Sequence, residues 1–115
     1  MKLLHYINGK LNNKYDDIEY KFSKLEKKYE FFLDNISNYI YITDRLIFIR
    51  ENDEYIFTLE ISDNPSAKIR MKDKNNEYLI EISNTKYEVK ENVIDFGYNV
   101  DGENEYHHII MKVND

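Results

Sequence analysis

The sequence predicts an all-β fold, an antiparallel meander closing into a small barrel, and three observations carry that prediction. A two-residue hydrophobic alternation runs from residue 38 to the end of the chain. Turn chemistry separates the alternating runs about every ten residues. Composition points the same way, with 15 Ile, 11 Tyr and 6 Phe against a single Ala, a usage that favours strands over helices. The three glycines (Gly9, Gly97, Gly102) and one proline (Pro65) mark no linker, and no repeat is present, so residues 1–115 are expected to form one β-barrel domain.

The first third reads two ways. Ile18, Phe22, Leu25, Tyr29 and Phe32 fall at helical spacing behind a possible Asp16 or Asp17 cap. That reading gives the alternative fold, α+β with a helix at about residues 16–33 packed on a curved antiparallel sheet. Read as strands, Ile18-Tyr20-Phe22 and Tyr29-Phe31-Leu33 alternate with polar neighbours. Periodicity alone slightly favours the helix. From there the strands follow in order. Ile40 and Ile42 alternate with Tyr39 and Tyr41, then Leu46 and Phe48 with Ile47 and Ile49. After Glu51-Asn52-Asp53 come Tyr55, Phe57, Leu59 and Ile61; then Ile69-Met71, Tyr78-Ile80-Ile82 and Tyr87-Val89. Ile94, Phe96, Tyr98 and Val100 precede His107, Ile109, Met111 and Val113. Ser83-Asn84 and Asp101-Gly102 read as turns, the second being the strongest short hairpin signal because such a turn needs positive backbone angles. Eight to eleven strands are expected by this count.

The stretch Ile18-Glu19-Tyr20-Lys21-Phe22, the run Ile40 to Arg50, and the closing segment Tyr87 to Gly102 resemble the strand order of a small uncharacterised bacterial family. Members of that family have a lipocalin-like (calycin) β-barrel. Its arginine at the end of an early-middle strand is matched by Arg50, and its aromatic-x-x-Asp-Gly hairpin by Tyr98 to Gly102. The resemblance implies that residues 16–34 are strands, and it brings no assigned activity.

Charge and composition exclude several function classes. The formal charge is −6 and the pI about 5.1. Residues 1–50 carry nine Lys and Arg against seven Asp and Glu, net +2, while residues 51–115 carry seven against fifteen, net −8. An acidic chain repels a phosphate backbone, so no direct nucleic-acid binding is expected. Absence of cysteine excludes disulfides, thiolate zinc sites and cysteine nucleophiles. The longest apolar run is Leu46 to Ile49, too short to span a membrane, and Met1-Lys2-Leu3-Leu4 leads straight into His5, Asn8 and Lys10 with no signal-type apolar region. The expected location is cytoplasmic. The Ile, Asn, Lys and Tyr bias reads as the codon usage of an AT-rich, bacterial genome.

Candidate chemistry is sparse. His107 and His108 are adjacent and should point to opposite strand faces. His5 could meet one of them if the first and last strands pair, with Glu105 as a third ligand. The expectation is nonetheless of ordinary surface or half-buried histidines, with no metal and no cofactor. Glu60 and Glu81 could act as acids if buried, but Glu60 falls on the face opposite Tyr55, Phe57, Leu59 and Ile61. No phosphate loop, nucleophile elbow or zinc-protease motif is present, and no catalytic residue is assigned. Arg50 could line a barrel mouth and pair with a ligand carboxylate or phosphate, beside Tyr41 and Tyr98; its structural alternative is a pair with Glu60. Glu51, Asp53, Glu54, Asp101, Glu103 and Glu105 sit in turns and are expected to meet a basic partner. The reading is a non-enzymatic domain binding a small molecule or a basic protein partner. The alternatives are an acidic inhibitor of phage or mobile-element type, for example anti-CRISPR-like, that blocks a nucleic-acid-binding enzyme, and an unrecognised enzyme.

Overall fold

Strict alternation gives a segment one apolar face, and in the computed structural model, which describes residues 1–113, the alternating runs form strands, except that the run Tyr78-Ile80-Ile82 is split between two of them. In chain order they are β1 (Lys2–Ile7), β2 (Lys10–Tyr15), β3 (Tyr20–Ser23), β4 (Lys28–Leu33), β5 (Ile36–Ile42) and β6 (Leu46–Glu51). Then follow β7 (Tyr55–Ile61), β8 (Ser66–Met71), β9 (Asn76–Ile80), β10 (Ile82–Lys90), β11 (Val93–Val100) and β12 (Glu105–Lys112). No helix forms among the described residues, and so none is long and apolar enough to cross a membrane. The chain divides into two compact units: Glu19–Ile80, and Met1–Ile18 with the segment from Glu81 onward.

The Glu19–Ile80 unit is a seven-stranded antiparallel meander in the order β3-β4-β5-β6-β7-β8-β9. Cross-strand neighbours Ile40, Phe48, Leu59 and Ala67 form one row of its buried face, each 4% exposed or less. Burying such side chains contributes about 1.5–3 kcal/mol apiece for the large ones. The other unit holds a five-stranded sheet in the order β10-β11-β12-β1-β2. Its buried face is built on Met111 with its cross-strand neighbours Leu3 and Ile94 on either side, and Phe96 and Ile109 one step along. Each sheet ends in two unpaired edge strands, so neither closes into a barrel. Among the described residues the strands number twelve, above the eight to eleven counted from sequence.

The helical alternative for residues 16–33 does not form. Tyr20 pairs with Phe31 and Phe22 with Tyr29, placing the Phe22 and Tyr29 rings 4.6 Å apart. The residues that completed the helical stripe are the exposed ones: Leu25 lies in the β3–β4 loop at 95% exposure, and Phe32 is 63% exposed. A stripe at spacings of four and three coincides with alternation broken by a four-residue loop. Ser83-Asn84 is also not a turn. It is a bulge inside β10, with Asn84 at φ 50°, and the break between units falls just before it, after Ile80.

Turn geometry rests on asparagine more than on glycine. Asn8-Gly9 (φ 51° and 82°) and Asp34-Asn35 (φ 54° and 62°) are two-residue hairpin turns with both centres left-handed, the geometry that matches strand twist. Three hairpins instead use four-residue loops whose last residue is left-handed: Lys27, Asn75 and Asn104. The β11–β12 hairpin is one of these. Val100 pairs with Glu105, Glu103 N–H donates to the Val100 carbonyl at 3.1 Å, and Asn104 carries φ 54°. Gly102 has no positive φ, contrary to its expected role at the centre of an Asp-Gly turn, and a Cβ there would meet nothing within 4 Å. Asn104→Val is therefore expected to cost about 1 kcal/mol or more, because a β-branched residue resists the left-handed region. Gly102→Val should stay within about 0.5 kcal/mol of the parent. Urea denaturation of the two variants checks both values.

Candidate functional site

Hairpin connections gather the chain's carboxylates at the ends of strands. At one end of the seven-stranded sheet, Phe32, Ser37, Glu51 and Ile56 are successive cross-strand neighbours on the face opposite the buried row. Phe32, Ser37 and Glu51, with Tyr39, Asn35 and the loop Asn52-Asp53-Glu54, line an open groove of about 800 Å³. Asn52 fixes that loop: its Oδ1 accepts from Glu54 N at 2.8 Å and Tyr55 N at 3.0 Å, a side-chain turn that leaves Asp53 and Glu54 exposed. Lys72 enters from the β8–β9 loop, held by its N–H on the Glu54 carbonyl and by its ammonium 2.7 Å from Glu51. The lining thus carries three carboxylates, one ammonium and two aromatic rings. Deeper on the same face, the Lys28 ammonium lies 5.6 Å from the Tyr39 ring centre and 5.8 Å from that of Tyr41. Its hydrogen bond to Glu26 (3.2 Å) holds it above the ordinary lysine range, so it stays charged.

A second polar group lies in the other unit, at one end of the buried face of the five-stranded sheet. The first and last strands pair, β1 on β12. That pairing brings His5 Nε2 to 3.0 Å from His107 Nδ1, with ring planes within 19°. Tyr98 is the direct cross-strand partner of His107 on its other side, ring centres 5.3 Å apart. His107 Nε2 faces Glu105 Oε1 at 3.7 Å. His108 takes the opposite face, as the alternation demands, and bonds Asp95 at 2.5 Å beside Tyr6.

Of the three ligand-binding residues expected from sequence, two share a sheet, and there Arg50 and Tyr41 take opposite faces. Arg50 is on the buried face of its sheet, where Nε donates to Asn38 Oδ1 at 3.2 Å; Asn38, 2% exposed, donates in turn to the Ile36 carbonyl at 2.9 Å. Tyr41 is on the opposite face of that sheet, and Tyr98 belongs to the other unit. Glu60, the expected structural partner of Arg50, instead bonds Arg45 at 3.3 Å, because it shares a face with Ile47 rather than with Phe48. Of the partner-binding carboxylates, Glu51, Asp53 and Glu54 meet in the groove, and Asp101, Glu103 and Glu105 cluster at the β11–β12 hairpin. Sequence reasoning missed Phe32, Ser37 and Lys72 as groove residues. Their one signal was an apolar Phe32 out of phase with Phe31 and Leu33.

Asn38 is buried and Arg50 half-buried, and the bond between them ties the arginine to the sheet's inner face. Asn38→Ala strands the arginine and is expected to cost about 1–3 kcal/mol, while Arg50→Lys, which keeps charge but loses the planar fork, costs about 1 kcal/mol. Chemical denaturation measures both; an unchanged midpoint for Arg50→Lys would return Arg50 to a ligand-facing role. Comparison of the chain with protein-family models, with curated proteins and with solved structures gives no match.

Proposed function

We propose that this protein is a non-enzymatic β-sheet module that binds a basic protein surface through the groove at the end of the seven-stranded sheet. The observation that carries this reading is the convergence of Glu51, Asp53 and Glu54 with Phe32 and Tyr39 in one open groove. Lysine and arginine side chains match that lining in both parts. Their aliphatic stems cover aromatic surface while their heads meet carboxylates. The Lys72 ammonium already sits on Glu51 from within the chain, and supports the geometry as one suited to an ammonium. A groove this open and this polar suits a segment of protein better than a small apolar ligand, which enclosed apolar pockets hold. The basic faces of nucleic-acid-binding enzymes are the partners of this chemistry that an acidic inhibitor would occupy. The lipocalin-like resemblance enters this reading as a proposal about architecture, supported by the nearest-neighbour strand order of the meander.

Fluorescence anisotropy with a labelled Lys/Arg-rich peptide tests the proposal. Binding should weaken as salt rises, since exposed charges are screened over about 10 Å at 0.1 M. The triple variant Glu51→Gln, Asp53→Asn, Glu54→Gln should lower affinity about tenfold, three exposed pairs at up to about 1 kcal/mol each. Duplex DNA and duplex RNA should not bind. Peptide affinity unchanged in the triple variant, or binding of either duplex at low salt, would overturn the reading.

A further inference from the structure

The geometry points to a divalent metal site at the β11–β12 hairpin, with His107 Nε2 and the carboxylates of Glu103 and Glu105 as ligands and Zn²⁺ as the best-fitting ion. One ligand atom from each of the three residues lies within 4.8 Å of the other two. His107 Nε2 and Glu105 Oε1 are 3.7 Å apart, close to the roughly 3.4 Å between ligands of a tetrahedral ion bound at about 2.1 Å. Glu105 and His107 are two residues apart on β12, so both project from one face; the four-residue loop before β12 carries the exposed Glu103 beside them. An exposed glutamate closes the remaining distance by side-chain rotation alone.

The imidazole is the pre-set member. Tyr98 and His5 flank the His107 ring, with planes within 18° and 19° of it. Its Nδ1 is engaged by His5 Nε2 at 3.0 Å. A metal-bound histidine characteristically has its other ring nitrogen held by a hydrogen-bond partner, which fixes the tautomer and the ring angle. With Nδ1–H donated to His5, the Nε2 lone pair faces the two carboxylates, and the ion takes the place of a proton between them. His5 is thus a positioning residue and not a ligand. One imidazole and two carboxylates, without thiolate, suit Zn²⁺ over Ca²⁺, which requires six to eight oxygens. The bound ion would pin Glu103 to β12 and remove two carboxylates from the hairpin's acidic cluster, leaving the groove on the other sheet untouched.

Calorimetry on tag-free, chelator-stripped, full-length protein tests the site with zinc chloride and, separately, calcium chloride. One zinc per chain is expected, and no calcium at the same concentrations. Glu105→Gln and Glu103→Gln, both changes at accessible side chains, should each weaken zinc binding about tenfold or more, and His107→Ala should abolish it. His5→Phe should weaken it about 10–100-fold with stoichiometry kept. In ¹⁵N spectra of the imidazoles, zinc should shift His107 Nε2 strongly and His5 far less. Absence of zinc uptake at millimolar concentration overturns the proposal. So does binding that survives both glutamate exchanges in folded protein, or that is lost on His108→Ala instead.

Discussion

Twelve short strands require a reversal after nearly every one, and the chain has three glycines and one proline with which to make them. Reversals that match strand twist need left-handed backbone, which a side chain with a Cβ resists by about 1–2 kcal/mol per residue. Asparagine and aspartate resist least, because their short polar side chains bond locally. Of the nine non-glycine residues with positive φ among those described, six are Asn and two are Asp. The high asparagine content, which reads from sequence as codon bias, is thus the material of the turns. Register follows from it. Once Asp34-Asn35 fixes a two-residue loop, every paired side chain on β4 and β5 is committed to one face, while after Asn8-Gly9 a bulge at Asn12 shifts the β1–β2 register once.

Those commitments place both candidate sites. The left-handed pair Asp34-Asn35 sets Phe32 beside Ser37, and the three strands β4, β5 and β6 then align Phe32, Ser37 and Glu51 in a row. The Asn52 side-chain turn adds Asp53 and Glu54 at its end. On the other sheet, the four-residue loop closed by Asn104 determines that Val100 faces Glu105, hence Tyr98 faces His107. Folding also redistributes charge. The two halves of the sequence differ sharply, +2 and −8, yet residues 19–80 carry ten Lys and Arg against twelve Asp and Glu, net −2, and the remaining residues six against ten, net −4. Interleaving of early and late strands in one sheet dilutes the asymmetry, so local clusters and not a whole half carry the acidic character.

The β class, the strand faces beyond residue 38 and the split of His107 from His108 were legible because they depend on period alone. The segment from Ile18 to Phe32 was not. Its apolar spacing slightly favours a helix over a hairpin, and the deciding fact is that strands β3 and β5 supply partners for Tyr29 and Phe31. Asp101-Gly102 misled for a related reason: a dipeptide that can centre a tight turn does so only if the loop is two residues long, and here Glu103 and Asn104 extend it. Arg50 shares the inner face with Leu46 and Phe48, as the alternation predicts, but its partner Asn38 sits directly opposite on β5, a pairing no sequence pattern marks. Pairings between β5 and β6 depend on the Thr43-Asp44-Arg45 connection, whose length alone sets Asn38 opposite Arg50.

Polar side chains on a buried sheet face break the binary pattern, and each break needs a reason. The bonding differs between the Asn38–Arg50 pair and the row that holds His107. In the seven-stranded sheet, Asn38 accepts from Arg50 and donates to Ile36, and no buried side-chain nitrogen or oxygen lacks a partner among the described residues. That run of bonds terminates in the backbone. In the five-stranded sheet, the row Tyr98, His107 and His5 begins where the apolar face of Ile109 and Phe96 ends, and it terminates in carboxylates at an open hairpin. An imidazole held on one nitrogen by a second imidazole, with its other nitrogen turned to acids, has a bonding pattern that a proton fills and a cation also fits. Stability alone would be served by an aliphatic residue at position 107, continuing the face set by Ile109 and Met111. With the zinc site proposed above, His107 is the functional departure of this sheet, while Asn38 bonds within the fold of the other.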